Sequence, residues 1–184
     1  MSLFEFLMIL LSIIVGLGIS ELLAGFARIL REGRFRELCL PHALLLLTLV
    51  LALLQIFWES WALNSLESWT FPALLLMLGG PALMYLASHV ALPGNTDESL
   101  EEYYYSRAAL IYGLLVLTSI VGVLFRPLAF GYPLLVVDNL TSFPTIAVLV
   151  LLAWKPLPIL HRILVPLCFV AVVFDTLTIS YSIG

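Results

Sequence analysis

Charged side chains are scarce in this chain: they make up 11% of its 184 residues, eight Lys and Arg against twelve Asp and Glu. Soluble domains carry about 25%, so a water-facing surface is excluded for most of the molecule. Cysteine is scarcer still. Cys39 and Cys168 stand singly, at a helix border and inside a late apolar stretch, which excludes both a metal-type spacing and a secreted disulfide framework. Packing is the role expected of them. Catalytic signatures are missing too: there is no Walker glycine loop, dinucleotide-binding glycine pattern, GxSxG or HExxH. An enzyme of the soluble type is therefore not expected. Nor is nucleic-acid recognition, because the few basic residues flank apolar runs and no folded domain presents them.

What is present is apolar. Hydrophobic residues reach 62% and mean hydropathy is +1.13, against roughly 45–50% apolar in soluble domains. A bilayer core about 30 Å thick asks for roughly 20 apolar residues per spanning helix. Six stretches qualify, approximately 3–30, 42–64, 72–92, 104–125, 133–154 and 160–181. The predicted fold class is all-α: a polytopic membrane bundle forming a single transmembrane domain over residues 1–184. The apolar run beginning at Phe6 has no positive side chain before it and continues to Leu30, where arginines follow. That pattern reads as a first spanning helix, not a cleaved signal.

Glycine and proline punctuate the runs. Gly33 stops the first, Pro41 and Pro72 open the second and third, and Pro93-Gly94-Asn95 ends the third. Ser99, Glu101 and Glu102 suit the start of the fourth, and Arg126-Pro127 is expected to end it. A kink is expected at Gly79-Gly80-Pro81.

Alternating the six spans puts Arg28, Arg31, Arg34, Arg36, Arg107, Lys155 and Arg162 on one side and Arg126 on the other. Cytoplasmic loops retain Lys and Arg, so the basic side is expected to be cytoplasmic, both termini outside, and the location a prokaryotic inner membrane. Trp58, Trp61, Trp69 and Tyr132 would then form an outer aromatic belt, with Tyr103 to Tyr105 and Trp154 forming the inner one. The loop carrying Arg28, Arg31, Arg34, Arg36 and Phe35 is also a candidate for anionic lipid head groups, at about 1 kcal/mol per basic residue. Setting topology is its plainer role.

Acids inside a membrane are costly, by about 2.5–3.5 kcal/mol on insertion scales. Glu59, Asp138 and Asp175 each lie on a polar stripe at helical spacing, with Thr48 and Gln55 on the second segment and Cys168, Thr178 and Ser182 on the sixth. All three acids fall roughly 5–10 Å to the outer side of the midplane. With Gln55, Asn139 and Thr178 they form a candidate ion- or proton-binding set. It offers hard oxygen ligands for a cation or protonatable groups for a relay. Hydrogen-bonded glue between helices is the competing reading, and it stands level with the first. The strings Asp138-Asn139-Leu140-Thr141 and Asp175-Thr176-Leu177-Thr178 resemble each other only briefly.

Ser12, Gly16, Ser20 and Ala24 make a small-residue ridge on the first segment, and Glu21 stands beside it. A packing or homo-oligomer seam is expected there, with Glu21 compensating a basic group on another helix. His42, His89 and His161 all fall toward the basic ends of their segments, where a shared metal, haem or quinone site is conceivable, although no spacing motif links them. Two functions follow from the sequence. One is a channel or transporter for protons or cations using the carboxylates. The other is a non-transporting assembly or sensor subunit, or an electron carrier using the histidines.

Overall fold

The computed structural model describes residues 3–65, 69–94, 98–131, 133–135 and 142–179. Among them every regular element is helical. We number the α-helices α1 (Leu3–Arg31), α2 (Leu40–Glu59), α3 (Phe71–Ala91), α4 (Leu100–Phe130), α5 (Ser142–Trp154) and α6 (Pro158–Ile179). Short 3-10 turns at Arg34–Glu37 and Ser60–Ser65 follow α1 and α2.

The helix ends obey local chemistry. Gly33 and Gly131 follow α1 and α4 with φ of 70° and 69°, a left-handed conformation that glycine adopts without a Cβ clash. Pro41 and Pro72 occupy first turns, where a missing N–H leaves no bond unmade. The Thr70 hydroxyl accepts from the Ala73 N–H. At α4, Ser99 Oγ accepts from the Glu102 N–H at 3.2 Å, and the Glu102 carboxylate accepts from the Ser99 N–H at 3.3 Å. This reciprocal cap starts α4 four residues before the expected Tyr104.

Two expected boundaries move further. Pro127 does not end α4, which runs on to Phe130. A proline removes its own N–H and crowds the preceding turn, yet its carbonyl still accepts, and Gly131 N–H closes on it at 3.0 Å. The fifth segment does not become helical at Pro133. Residues 133–135 lie in a bend, and the described helix begins at Ser142.

Among the described residues five helices are long and apolar enough to cross a membrane: α1, α2 with its 3-10 extension, α3, α4 and α6. The sixth, α5, has 13 residues, about 20 Å at 1.5 Å per residue. The aliphatic faces turned out of the bundle, such as Ile9, Ile13 and Leu17 on α1 and Ile163, Leu167 and Val170 on α6, suit a hydrocarbon solvent.

Inside, α1 buries Leu11, Val15, Gly18, Leu22, Gly25 and Ile29, a 4-3-4-3-4 spacing that keeps one seam facing its neighbours. The close approaches are at glycine. A methyl group on Gly18 would meet the Leu53 side chain of α2 at 2.9 Å, and one on Gly25 would collide with Leu92 after α3.

Side-chain contacts fix the order of the ends. Arg28 Nη1 donates to the Pro93 carbonyl at 3.0 Å, Arg34 donates to the Glu98 carbonyl, and Arg162 lies 3.8 Å from Glu101. The end of α1, the α3–α4 connection and the starts of α4 and α6 therefore share one end, hereafter the basic end. At the opposite end the Phe4 and Trp61 rings meet edge to face at 6.0 Å. Leu3 and Ile179 lie at that same end, so α5 carries the chain back toward the basic end between α4 and α6.

Candidate functional site

The α2–α6 seam carries a polar centre at each end. Between them α2 is apolar over residues 43–54 except for Thr48, whose hydroxyl donates to the Leu44 carbonyl at 2.7 Å. The facing stretch of α6, residues 163–174, is apolar apart from Cys168.

The first centre lies away from the basic end. It is organised by Gln55, the chain's single glutamine. Its Nε2 donates to Glu59 Oε1 at 2.8 Å, one turn along α2, and to Asp175 Oδ2 at 2.7 Å on α6. The Thr176 hydroxyl lies 3.1 Å from Gln55 Oε1 and 2.8 Å from the Val172 carbonyl, so one hydroxyl proton serves two acceptors. An amide NH2 has two protons, and here each goes to a different carboxylate. The two acceptor oxygens lie within about 5.5 Å of each other, the sum of the bond lengths. Two ionised carboxylates at that separation repel by about 3 kcal/mol at an effective dielectric constant near 20. A proton or small cation placed between them removes that repulsion. All four side chains are half-buried, so the centre sits at the rim of the bundle and is not sealed inside it.

Of the expected ion-binding set, Gln55, Glu59 and Asp175 thus come together. Asp138 and Asn139 lie outside the described residues, as does the Thr178 side chain. Thr176 was missed: it stands one residue off the stripe through Asp175, and only the packing angle of α6 turns its hydroxyl to Gln55.

The second centre is at the basic end and is fully buried. His161 on α6 and Tyr104 on α4 have no exposed surface, and Tyr112 is 2% exposed. Tyr104 Oη lies 2.6 Å from His161 Nδ1 and 2.8 Å from Tyr112 Oη. His42 on α2, also buried, stacks on the Tyr104 ring at 5.2 Å, and its Nε2 donates to the Ala91 carbonyl at 2.8 Å. A carbonyl only accepts, so Nε2 holds the proton and Nδ1 a lone pair. Tyr105 closes the cage, its ring 5.5 Å from that of His161.

The three histidines do not converge. His42 and His161 flank Tyr104, whereas His89 is exposed on α3 and its Nδ1 pairs with Glu21 Oε1 of α1 at 3.0 Å. Among the described residues no three His, Cys, Asp or Glu side chains are grouped to hold a metal ion. The Glu21–His89 pair joins α1 to α3. Tyr104 is also not part of an interfacial belt, since its hydroxyl is drawn inward to His161. Tyr104 and Tyr112 were invisible as site residues because nothing in a helical pattern says that a tyrosine eight residues from another will share its partner.

The ridge Ser12, Gly16, Ser20, Ala24 faces outward: all four are exposed, the Ser12 hydroxyl donates to its own helix at Ile9, and the space above Gly16 is open. At the basic end Arg34 is held by Glu37 at 3.0 and 3.1 Å and lies 3.9 Å from Glu32. Arg28 is tied to Pro93, while Arg31 and Arg36 point outward, exposed. The chain matches no family model, no curated protein and no solved structure.

Proposed function

We propose that this chain is a small membrane transporter or channel for protons or monovalent cations, with Gln55, Glu59 and Asp175 as its ion-binding station. The observation that carries the reading is the sharing of one amide NH2 by two acids on different helices, in a seam otherwise apolar over a dozen residues of each helix. Acids in apolar surroundings need compensation, and a neutral amide compensates two anions without cancelling either. The charge stays available for a mobile ion.

The same reading uses six spans, with α5 in the fifth, the basic end in the cytoplasm and both termini outside, the orientation that the arginine bias favours. Arg31 and Arg36 are the residues left to meet anionic head groups, with Phe26 and Phe35 paired edge to face beside them at 6.2 Å. The outward ridge at Gly16 favours association of copies through α1.

Flux of protons and of Na+ or K+ into liposomes tests the station. The parent should conduct one of them, and Asp175→Asn and Gln55→Leu should fall toward the protein-free rate. Equal rates in all three proteins would sink the proposal. Cross-linking of Gly16→Leu in membranes tests the ridge: an unchanged oligomer removes α1 from the interface.

A further inference from the structure

Among the described residues, three buried side-chain polar atoms have no hydrogen-bond partner: His42 Nδ1, Tyr105 Oη and His161 Nε2. All three belong to the cage around Tyr104. Buried polar groups are paired in the great majority of cases, so three unpaired ones gathered in one cage need an explanation.

The proton count supplies one. If both hydroxyl protons are used, Tyr112 Oη donates to Tyr104 Oη and Tyr104 Oη donates to His161 Nδ1. His161 then carries its own proton on Nε2, which is the unpaired atom. We propose that Tyr112, Tyr104 and His161 form a proton relay leading from the bundle interior to the basic end. A proton given by hydronium to Tyr112 Oη displaces that hydroxyl's proton to Tyr104, whose proton passes to His161 Nδ1, and the Nε2 proton passes to water admitted at the basic end. One proton enters and one departs, with three O–H or N–H bonds of the relay formed and three broken. The chain is left with reversed polarity, Nδ1–H donating to Tyr104 and Tyr104 to Tyr112, and rotation of the hydroxyls with tautomer exchange of the ring restores it.

The surroundings suit an exit at this end. Tyr105 lies against the His161 ring, and Glu101 and Arg162 at the rim are within electrostatic reach of Tyr105. From α2 the cage meets His42 and, just before the helix, Cys39, and from α6 it meets Cys168. The end of α5 and the residue after it turn the backbone carbonyls of Leu152 and Lys155 toward the His161 ring, close enough to favour a protonated nitrogen although neither makes a hydrogen bond of good geometry with Nε2. No carboxylate in this set hydrogen-bonds the imidazole, so the ring is not locked as a permanent cation.

As a conducting element the relay rests on the proton reading of the Gln55 station, and its test separates the two. Proton flux in liposomes is compared for the parent, Tyr112→Phe, His161→Gln and Asp175→Asn. Infrared difference spectra between acidic and neutral pH then follow the tyrosine C–O and imidazole ring bands of each protein. Flux lost in Tyr112→Phe and His161→Gln as well as in Asp175→Asn is the expected result, with tyrosine and imidazole bands that titrate together in the parent and uncouple in Tyr112→Phe. Flux lost only in Asp175→Asn overturns the relay and leaves the station standing. If the parent moves no protons, the proton reading of the station fails, and the spectra decide the relay: jointly titrating bands sustain it and independent bands overturn it. Thermal melts of the four proteins confirm that each is folded.

Discussion

The two ends of the α2–α6 seam solve the problem of polar groups among long apolar helices differently. At the basic end the side chains are wholly buried, neutral in type and caged by rings: His161, Tyr104, Tyr112 and His42. At the other end they are half-buried and acidic, and a single amide mediates between them. Burial decides which chemistry is affordable. A centre sealed from water must use groups that hydrogen-bond without net charge, whereas a centre at the rim can hold carboxylates because water and counter-ions share their field. Loss of a partner is therefore expected to matter more at the basic end.

Tyr104→Phe should break that end hardest. It leaves the Tyr112 hydroxyl and His161 Nδ1 without each other's bridge, at about 1–3 kcal/mol for each buried orphan, measured by unfolding in detergent. A loss no larger than that of a surface substitution would erase the contrast between the ends. Next comes Gly25→Val, which drives two methyl groups into Leu92 where α1 leaves the bundle toward the basic loops. Overpacking of this kind costs about 1–3 kcal/mol, while Gly16→Val, facing open space, should leave the unfolding midpoint of the single chain unchanged.

Gln55→Leu is expected to cost less, about 0.6–1.7 kcal/mol by the measured range for hydrogen bonds between membrane helices, because water can replace the amide at a half-buried rim. An effect matching that of Tyr104→Phe would mean that the carboxylate centre is as sealed as the cage. The smallest effect concerns Glu37, whose hydrogen bond to Arg34 holds its carboxyl below the usual carboxylate value. A depressed folded value means that the pairing contributes above the unfolded carboxylate range and is lost as pH falls through the folded one. Unfolding of the parent and of Glu37→Gln followed across pH should show the parent slightly more stable by a constant offset above about pH 4.5, an offset that shrinks as pH falls below that value.

Much of the fold was legible beforehand because its causes are local. Segment lengths follow from the extent of each apolar run, Gly33 and Pro72 act on their own turns, and Ser99 with Glu102 needs only a spacing of three. Where the reading slipped, at Arg126-Pro127 and Pro133, a residue permissive for two outcomes was taken as a stop or a start.

The candidate sites divide along the same line. Sequence alone determined that acids, histidines and an amide would lie in apolar helices, and how far along each helix they stand, since rise per residue is fixed by backbone hydrogen bonding. Only the tertiary structure decided that Gln55 meets Asp175 across 120 residues, that His161 takes Tyr104 while His89 takes Glu21, and that Gly18 and Gly25 face inward while Gly16 faces outward. Those pairings depend on which helices adjoin and how each is rotated about its axis. Both are set by close packing of side chains distant in sequence, which no pattern along one helix records.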